Sequence, residues 1–372
     1  MRQLLFALIC LSLMSSAHAQ RPPAVIPQSA NTVVEVLPRG YPALTRAAAG
    51  LPNSRPLEEP ARLLRAAART GDARLAARAD ALLARASKGD ASVEQRKLQA
   101  FGAQHRHAFA TSRKLLDGVI DDAPRDADAR LARAQLNLVQ GRLAQARKDC
   151  VALAVMDAGD ALICIAALET RKGAYAKAAP LVERFVSAGT QEPEFLRFAL
   201  VMRAEIATRA AEPNADGWYQ RALALDPQDV RTLAAYARHL NGSEQPQRTL
   251  ELLANAPEAD GLQLQRALAA RAAGRPDAAQ LAGAQARRYA LARSVGMEPE
   301  LRDEAELLLT LRGDAPAALA LALRNFESQR DHEDVDLLLR AAAAASRPDA
   351  LAGLAAWARR EGLTLPASGD GS

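Results

Sequence analysis

A glycine followed, five positions on, by an alanine recurs at related spacings along this 372-residue chain, as Gly71/Ala76, Gly141/Ala146, Gly173/Ala178, Gly274/Ala279 and Gly313/Ala318. The glycines are 32 residues apart from Gly141 to Gly173 and 39 apart from Gly274 to Gly313, with 70 from Gly71 to Gly141 and 101 from Gly173 to Gly274. The two long intervals divide into units of about 34 or 35, so one unit repeats along the chain. The residue types give the reason. Glycine ends a helix by entering the left-handed region, where a Cβ is penalised. An alanine early in the next helix lets the two helices cross closely. Gly173-Ala174-Tyr175-Ala176-Lys177-Ala178 is the cleanest such turn.

The second half of one unit is written in Trp218-Tyr219-Gln220-Arg221-Ala222-Leu223-Ala224-Leu225-Asp226-Pro227. Tyr219 and Ala222 share a helical face, and Pro227 stops the helix. Ala134, Ala166 and Ala267 each stand seven positions before a turn glycine, and Pro124 and Pro227 close units. Together these marks resemble the tetratricopeptide repeat, whose period is about 34. The resemblance covers roughly residues 57–365. It implies an all-α, right-handed superhelical solenoid of antiparallel helix pairs, with first helices on the concave face and second helices on the convex one. Each unit then buries its apolar stripe only against its neighbours.

Nine hairpins are expected, near 57–90, 93–125, 127–157, 159–191, 194–228, 230–258, 260–296, 299–330 and 332–365. The 39-residue interval implies a lengthened second helix around Gln285–Arg293. Some positions depart from the repeat. Arg133 and Asn137 stand where the family has large apolar or aromatic residues. Ala210-Ala211-Glu212-Pro213-Asn214 replaces the glycine turn of unit five, and Ser346 replaces glycine in the last unit, leaving the register of units five, six and nine open.

Composition agrees with a helical array. Apolar residues make up 49% of the chain but aromatics only 4%, so the core is built from Ala and Leu, both strong helix formers. The net charge is +5, from 48 basic residues (42 Arg, 6 Lys) against 43 acidic ones. The arginines are interleaved with Asp and Glu, whereas nucleic-acid binding calls for a clustered basic surface. The pattern reads as solvated helix faces with local ion pairs, and no nucleic-acid partner is expected.

Residues 1–19 read as a secretory signal peptide: Arg2, an apolar run from Leu4 to Met14, then Ala17-His18-Ala19 with cleavage before Gln20. The run is too short for a bilayer, which takes about 20 residues. Cys10 lies inside it behind Leu8 and Ile9, which does not fit a lipidation site. No later segment reads as a membrane span, so the mature chain is expected in the periplasm or secreted. Residues 20–56 carry seven prolines and read as an arm, with Val33-Val34-Glu35-Val36 as one extended piece; residues 366–372 read as a disordered tail.

Beyond the leader only Cys150 and Cys164 remain. They lie seven residues either side of Asp157, where the second helix of unit three turns into the first of unit four. Antiparallel geometry puts them at one height, and export favours a disulfide between them.

The chain carries no Gly-rich phosphate loop, no HExxH and no GxSxG. Neither a cofactor nor a metal site is expected. His105-Arg106-His107 is the only histidine cluster, and helical residues two apart diverge. His332-Glu333-Asp334 with Asp336 reads as a helix opening, where acidic residues suit the positive end.

The groove is the better candidate site. The resemblance carries inward-facing positions onto Glu94, Lys97, Phe101 and Gln104, onto Asp128, Leu131, Gln135 and Leu138, onto Arg231 and Arg238, and onto Leu264, Leu268 and Arg271. Lys97 matches one place of the carboxylate clamp known in this family, but Phe101 stands where its Asn belongs, so the clamp is not expected. The reading is a non-catalytic exported scaffold that binds an envelope protein or peptide in its concave face. The alternatives are an accessory assembly subunit of an outer-membrane secretion or exopolysaccharide-export complex and, last, a hydrolytic enzyme.

Overall fold

The computed structural model describes residues 56–86, 91–189, 192–294 and 296–365. The leader, nearly all of the Pro-rich arm and the tail lie outside the described residues. Within them the chain is all helical, with no strand.

The helices come in successive antiparallel pairs. They are α1 (Glu58–Thr70) with α2 (Ala73–Ala86), α3 (Val93–His105) with α4 (Phe109–Asp122), and α5 (Ala127–Val139) with α6 (Leu143–Leu153). Next come α7 (Ala158–Arg171) with α8 (Tyr175–Ser187), α9 (Pro193–Arg209) with α10 (Ala215–Leu225), and α11 (Val230–Gly242) with α12 (Pro246–Leu252). The last are α13 (Asp260–Ala272) with α14 (Ala278–Ser294), α15 (Leu301–Glu306, continued as a π-helical stretch over Leu307–Arg312) with α16 (Ala315–Ser328), and α17 (His332–Ala344) with α18 (Ala352–Glu361). The 39-residue interval is taken up by α14, which runs for 17 residues.

The turn inside each pair holds one residue in the left-handed region. In the units marked in the sequence this residue is Gly71, Gly141, Gly173, Gly274 or Gly313. In the others it is His107, Ala211, Glu244 or Ser346, with φ between 53° and 57°. The turn geometry therefore continues where the glycine does not. The small buried residue five positions on continues as well in two of these units, as Ser112 and Thr249, each 0% exposed.

Unit seven departs from the expected mark. Ala279 is exposed. Arg275, Pro276 and Asp277 extend the turn, with the Arg275 guanidinium on the Asp277 carboxylate at 2.9 Å, so α14 begins only at Ala278. Ala282, three residues later, takes the buried place.

Alanines fill the crossings: Ala134, Ala146, Ala166, Ala178 and Ala267 are all fully buried. Arg133 shows how the array tolerates a charge at an apolar position. Its guanidinium reaches Asp149 on α6 at 2.7 and 2.9 Å and Asp117 on α4 at 2.8 Å. Asp149 is almost wholly buried, and the neighbouring carboxylates hold the Arg133 pKa above its ordinary value. A charged bridge over three helices thus replaces an apolar contact. Cys150 on α6 and Cys164 on α7 form the expected disulfide, with Cα atoms 5.2 Å apart.

The array also contacts itself at long range. Helix α1 touches α11, and Gly71 lies beside Val230. Further along, the stretch from Gln329 into α17 lies across the ends of earlier first helices. The Arg330 N–H donates to Val139 O at 2.7 Å and its guanidinium to Gln140 O at 2.8 Å. His332 Nε2 donates to Thr170 O at 2.9 Å. The Arg330 groups satisfy carbonyls at the C-terminal end of α5, and His332 adds a second donor to Thr170 O, which already accepts the Gly173 N–H at 2.9 Å. Trp357 and Glu361 of α18 reach Gly141 O and the Leu143 N–H at 2.9 and 3.1 Å.

Candidate interaction groove

Glu205 and Arg209 stand one turn apart on α9, and Thr208 lies beside them. Arg238 and His239 come from α11, Tyr219 from α10, and Glu333 and Asp336 from the first turns of α17. These side chains line a cavity of about 340 Å³ between α9, α10, α11 and α17. The first turn of α17 supplies the acids because acidic residues suit a helix N-terminus. Asp331 and Asp334 close that terminus as a capping box.

The walls are strongly coupled by charge. Arg209 reaches Glu333 at 3.1 Å and Asp336 at 3.3 Å. Burial opposes its charge, but the two carboxylates hold its pKa above the ordinary value. Arg171 pairs with Asp331 at 2.7 Å, while Asp334 accepts from the Asn325 amide at 2.8 Å. Glu205 and Arg238 face the same cavity, and neither has an ion pair among the described residues. Burial and the nearby Glu333 push Glu205 upward, with Arg238 opposing.

His239 ties three helices together. Its Nε2 lies 3.2 Å from Asp216 on α10 and its Nδ1 2.9 Å from the Thr208 hydroxyl on α9. The ring packs beside the stacked pair Tyr219 and Tyr236, whose centroids are 5.0 Å apart. Burial lowers its pKa, against the pull of Asp216. The Thr208 hydroxyl also contacts Ala204 O at 3.0 Å within its own helix. The arrangement orders α9, α10 and α11 and presents a charged wall to the cavity.

The residues expected at the groove fall into three groups. Phe101 is 40% exposed, and Glu94, Arg231 and Arg271 are exposed too. The charge of Arg231 lowers the pKa of His105, behind the larger effect of burial. Lys97, Gln104 and Gln135 are only partly exposed. Lys97 is held by Glu94, Asp126 and Asp128, each at 3.2 Å; burial disfavours the ammonium but these carboxylates raise its pKa. The Gln104 amide is bound to Ser112 Oγ at 3.2 Å. Leu138 and Leu264 correct the expectation. Leu264 is 0% exposed and packs with Tyr289 and Leu307, so it is core and offers no surface. Leu138 packs with Leu143, Ala146 and Leu168 in the same way.

His107, with Phe109 stacked on it, pairs with Glu300 at 3.2 Å and helps hold the array together. Among the described residues no group of three or more His, Cys, Asp or Glu side chains is placed to hold a metal ion. None of the described helices is long and apolar enough to cross a membrane.

The sequence reading missed Glu205, the cavity-facing role of Glu333 and Asp336, and the bridge through His239. The acidic run at 333–336 was visible as a helix start; only tertiary packing turns it toward Arg209.

No protein-family model and no curated protein matches the chain. Solved structures similar to it include the crystal structure of a tetratricopeptide repeat protein from Parabacteroides merdae, at 15% identity. That match covers 67% of this chain and 98% of the other, with a TM-score of 0.39. The chain's own helix pairing and turns carry the assignment: it is an all-α helical-hairpin array of tetratricopeptide-like build.

Proposed function

We propose that the chain is an exported, non-catalytic scaffold that binds a polar segment of a partner envelope protein along its inner face. The observation that carries this reading is the cavity between α9, α10, α11 and α17, where Glu205 and Arg238 stand without ion-pair partners among the described residues. Charged groups that face a cavity without a direct ion pair favour a ligand that brings its own donors and acceptors. Phe101, exposed on α3, adds an apolar anchor of the kind that dominates contact energies. The expected leader at 1–19 and the Cys150–Cys164 disulfide favour an oxidising compartment.

The test is cross-linking in source cells followed by affinity capture of the mature chain. Wild type is expected to enrich one envelope protein, and Phe101→Ala/Arg238→Glu to lose it while keeping the wild-type circular dichroism. Equal capture by both proteins overturns groove binding.

A further inference from the structure

A second cavity, of about 380 Å³, lies where the C-terminal pair meets the turns of units three and four. Its walls differ in kind from those of the first cavity. Leu143, Val335, Trp357, Leu363 and Leu365 make an apolar body, and Arg171, Lys172, Arg209 and Arg330 bring four cations. Asp336 is the only carboxylate lining it among the described residues, and Arg209 engages that group at 3.3 Å.

Three of the four cations have acidic partners. Arg171 pairs with Asp331, Lys172 with Glu169, and Arg209 with Glu333 and Asp336. Arg330 does not. Its guanidinium donates to the main-chain carbonyls of Gln140 and Glu327, lies over the Phe326 ring at 4.9 Å, and has no carboxylate within ion-pair distance among the described residues. Its Nε is buried without a hydrogen-bond partner. Burial, then the neighbouring Arg360 and Arg142, lower its pKa, and Glu361 opposes them only in part. A partly buried cation with no direct ion pair is costly, and an arriving anion offsets that cost.

We propose that this cavity binds a small amphiphilic carboxylate, with the anionic end on Arg330 and the apolar body against Trp357, Val335 and Leu363. The volume falls within the range of small-molecule sites, roughly 300–1,000 Å³. The site shares Arg209 and Asp336 with the other cavity as a common wall, but Arg330 and Trp357 line this one alone, so its test reads these two residues and does not depend on partner capture. Two sources share this chemistry, a free acyl carboxylate and the carboxyl end of an apolar peptide.

Octanoate is titrated into Trp218→Phe protein, in which Trp357 is the remaining tryptophan of the chain's two. A saturable change in Trp357 emission is expected, with octylammonium giving none. Binding is expected to weaken at least tenfold in Arg330→Gln. Lys172→Glu reverses a charge at the wall without touching the Arg330 contacts; it also breaks the Lys172–Glu169 pair, and it is expected to weaken binding while the protein stays folded. N-acetyl-leucyl-leucine and its C-terminal amide complete the series. Tighter binding of the peptide acid than of octanoate assigns the peptide source, and the reverse assigns the free acid. Absence of binding by both acids, equal binding of octylammonium, or unchanged affinity in folded Arg330→Gln and Lys172→Glu overturns the proposal.

Discussion

Trp357 donates its indole N–H to the carbonyl oxygen of Gly141 at 2.9 Å, across 216 positions of sequence. The contact makes Gly141 necessary twice over. Its φ is +64°, and a Cβ there would sit 2.7 Å from the indole nitrogen. Gly173 has a similar φ of +72° but open space around it. Gly173→Ala should therefore cost about 1 kcal/mol, the left-handed penalty alone. Gly141→Ala should cost about 3 kcal/mol, because the indole must also move. Chemical denaturation of the two variants checks this; equal losses would show that the Trp357 contact contributes nothing.

Arg133 gives the second prediction. It holds the almost fully buried Asp149 and bridges to Asp117. Arg133→Ala leaves Asp149 as a buried charge with only the longer 3.5 Å contact to Arg130. The expected loss is about 3 kcal/mol, as for other broken buried pairs. Arg133→Ala/Asp149→Ala should lose less than the sum of the single changes, which a double-mutant cycle measures.

Ala211 is a position to improve. It holds φ of 53° at a turn where other units use glycine. Ala211→Gly relieves a left-handed penalty of about 1–2 kcal/mol and loses up to about 1 kcal/mol to the freer unfolded chain. A small net gain, about 0.5 kcal/mol, should appear as a higher melting temperature. A lower one would show that the turn is held for another reason.

The disulfide closes a loop with a sequence separation of 14. Chain-entropy arguments give about 3 kcal/mol for a loop of roughly this size. Cys150→Ala/Cys164→Ala should lose about that much, with early proteolysis around Asp157. Reductant should have the same effect on wild type and none on the variant.

His332 sets a pH dependence. Burial first, then Arg209 and Arg171, push its pKa down to about 4, from an ordinary value near 6.5. The unfolded chain then binds more protons than the folded one between those values. The contribution to stability is complete above about pH 6.5 and is lost as pH falls toward 4. It amounts to about 2 kcal/mol, discounted for the partial exposure of the ring. His332→Gln keeps a donor for Thr170 O and removes the titration, so its stability should change less than wild type between pH 7 and 5. Equal pH slopes would sink the assignment.

Much of the fold is legible in residues close together in sequence. Gly141 and Gly173 mark turns, Ala134 and Ala166 mark close crossings, and Cys150 and Cys164 sit at one height of a hairpin. Each of these follows from geometry inside one or two units. The unmarked turns were less legible, because His107, Ala211, Glu244 and Ser346 take the left-handed conformation without the residue that advertises it.

What the sequence by itself determined is the unit: its length, its helix pair, its turn and its small-residue crossing. What only the tertiary structure decided is how distant units meet. It placed Leu264 in the core, turned Glu333 and Asp336 toward Arg209, and laid Arg330 and Trp357 on the turn at Gly141. The physical reason is that a small rotation is added at each repeat. Its sum over several units decides which faces come together, and no single unit encodes that sum.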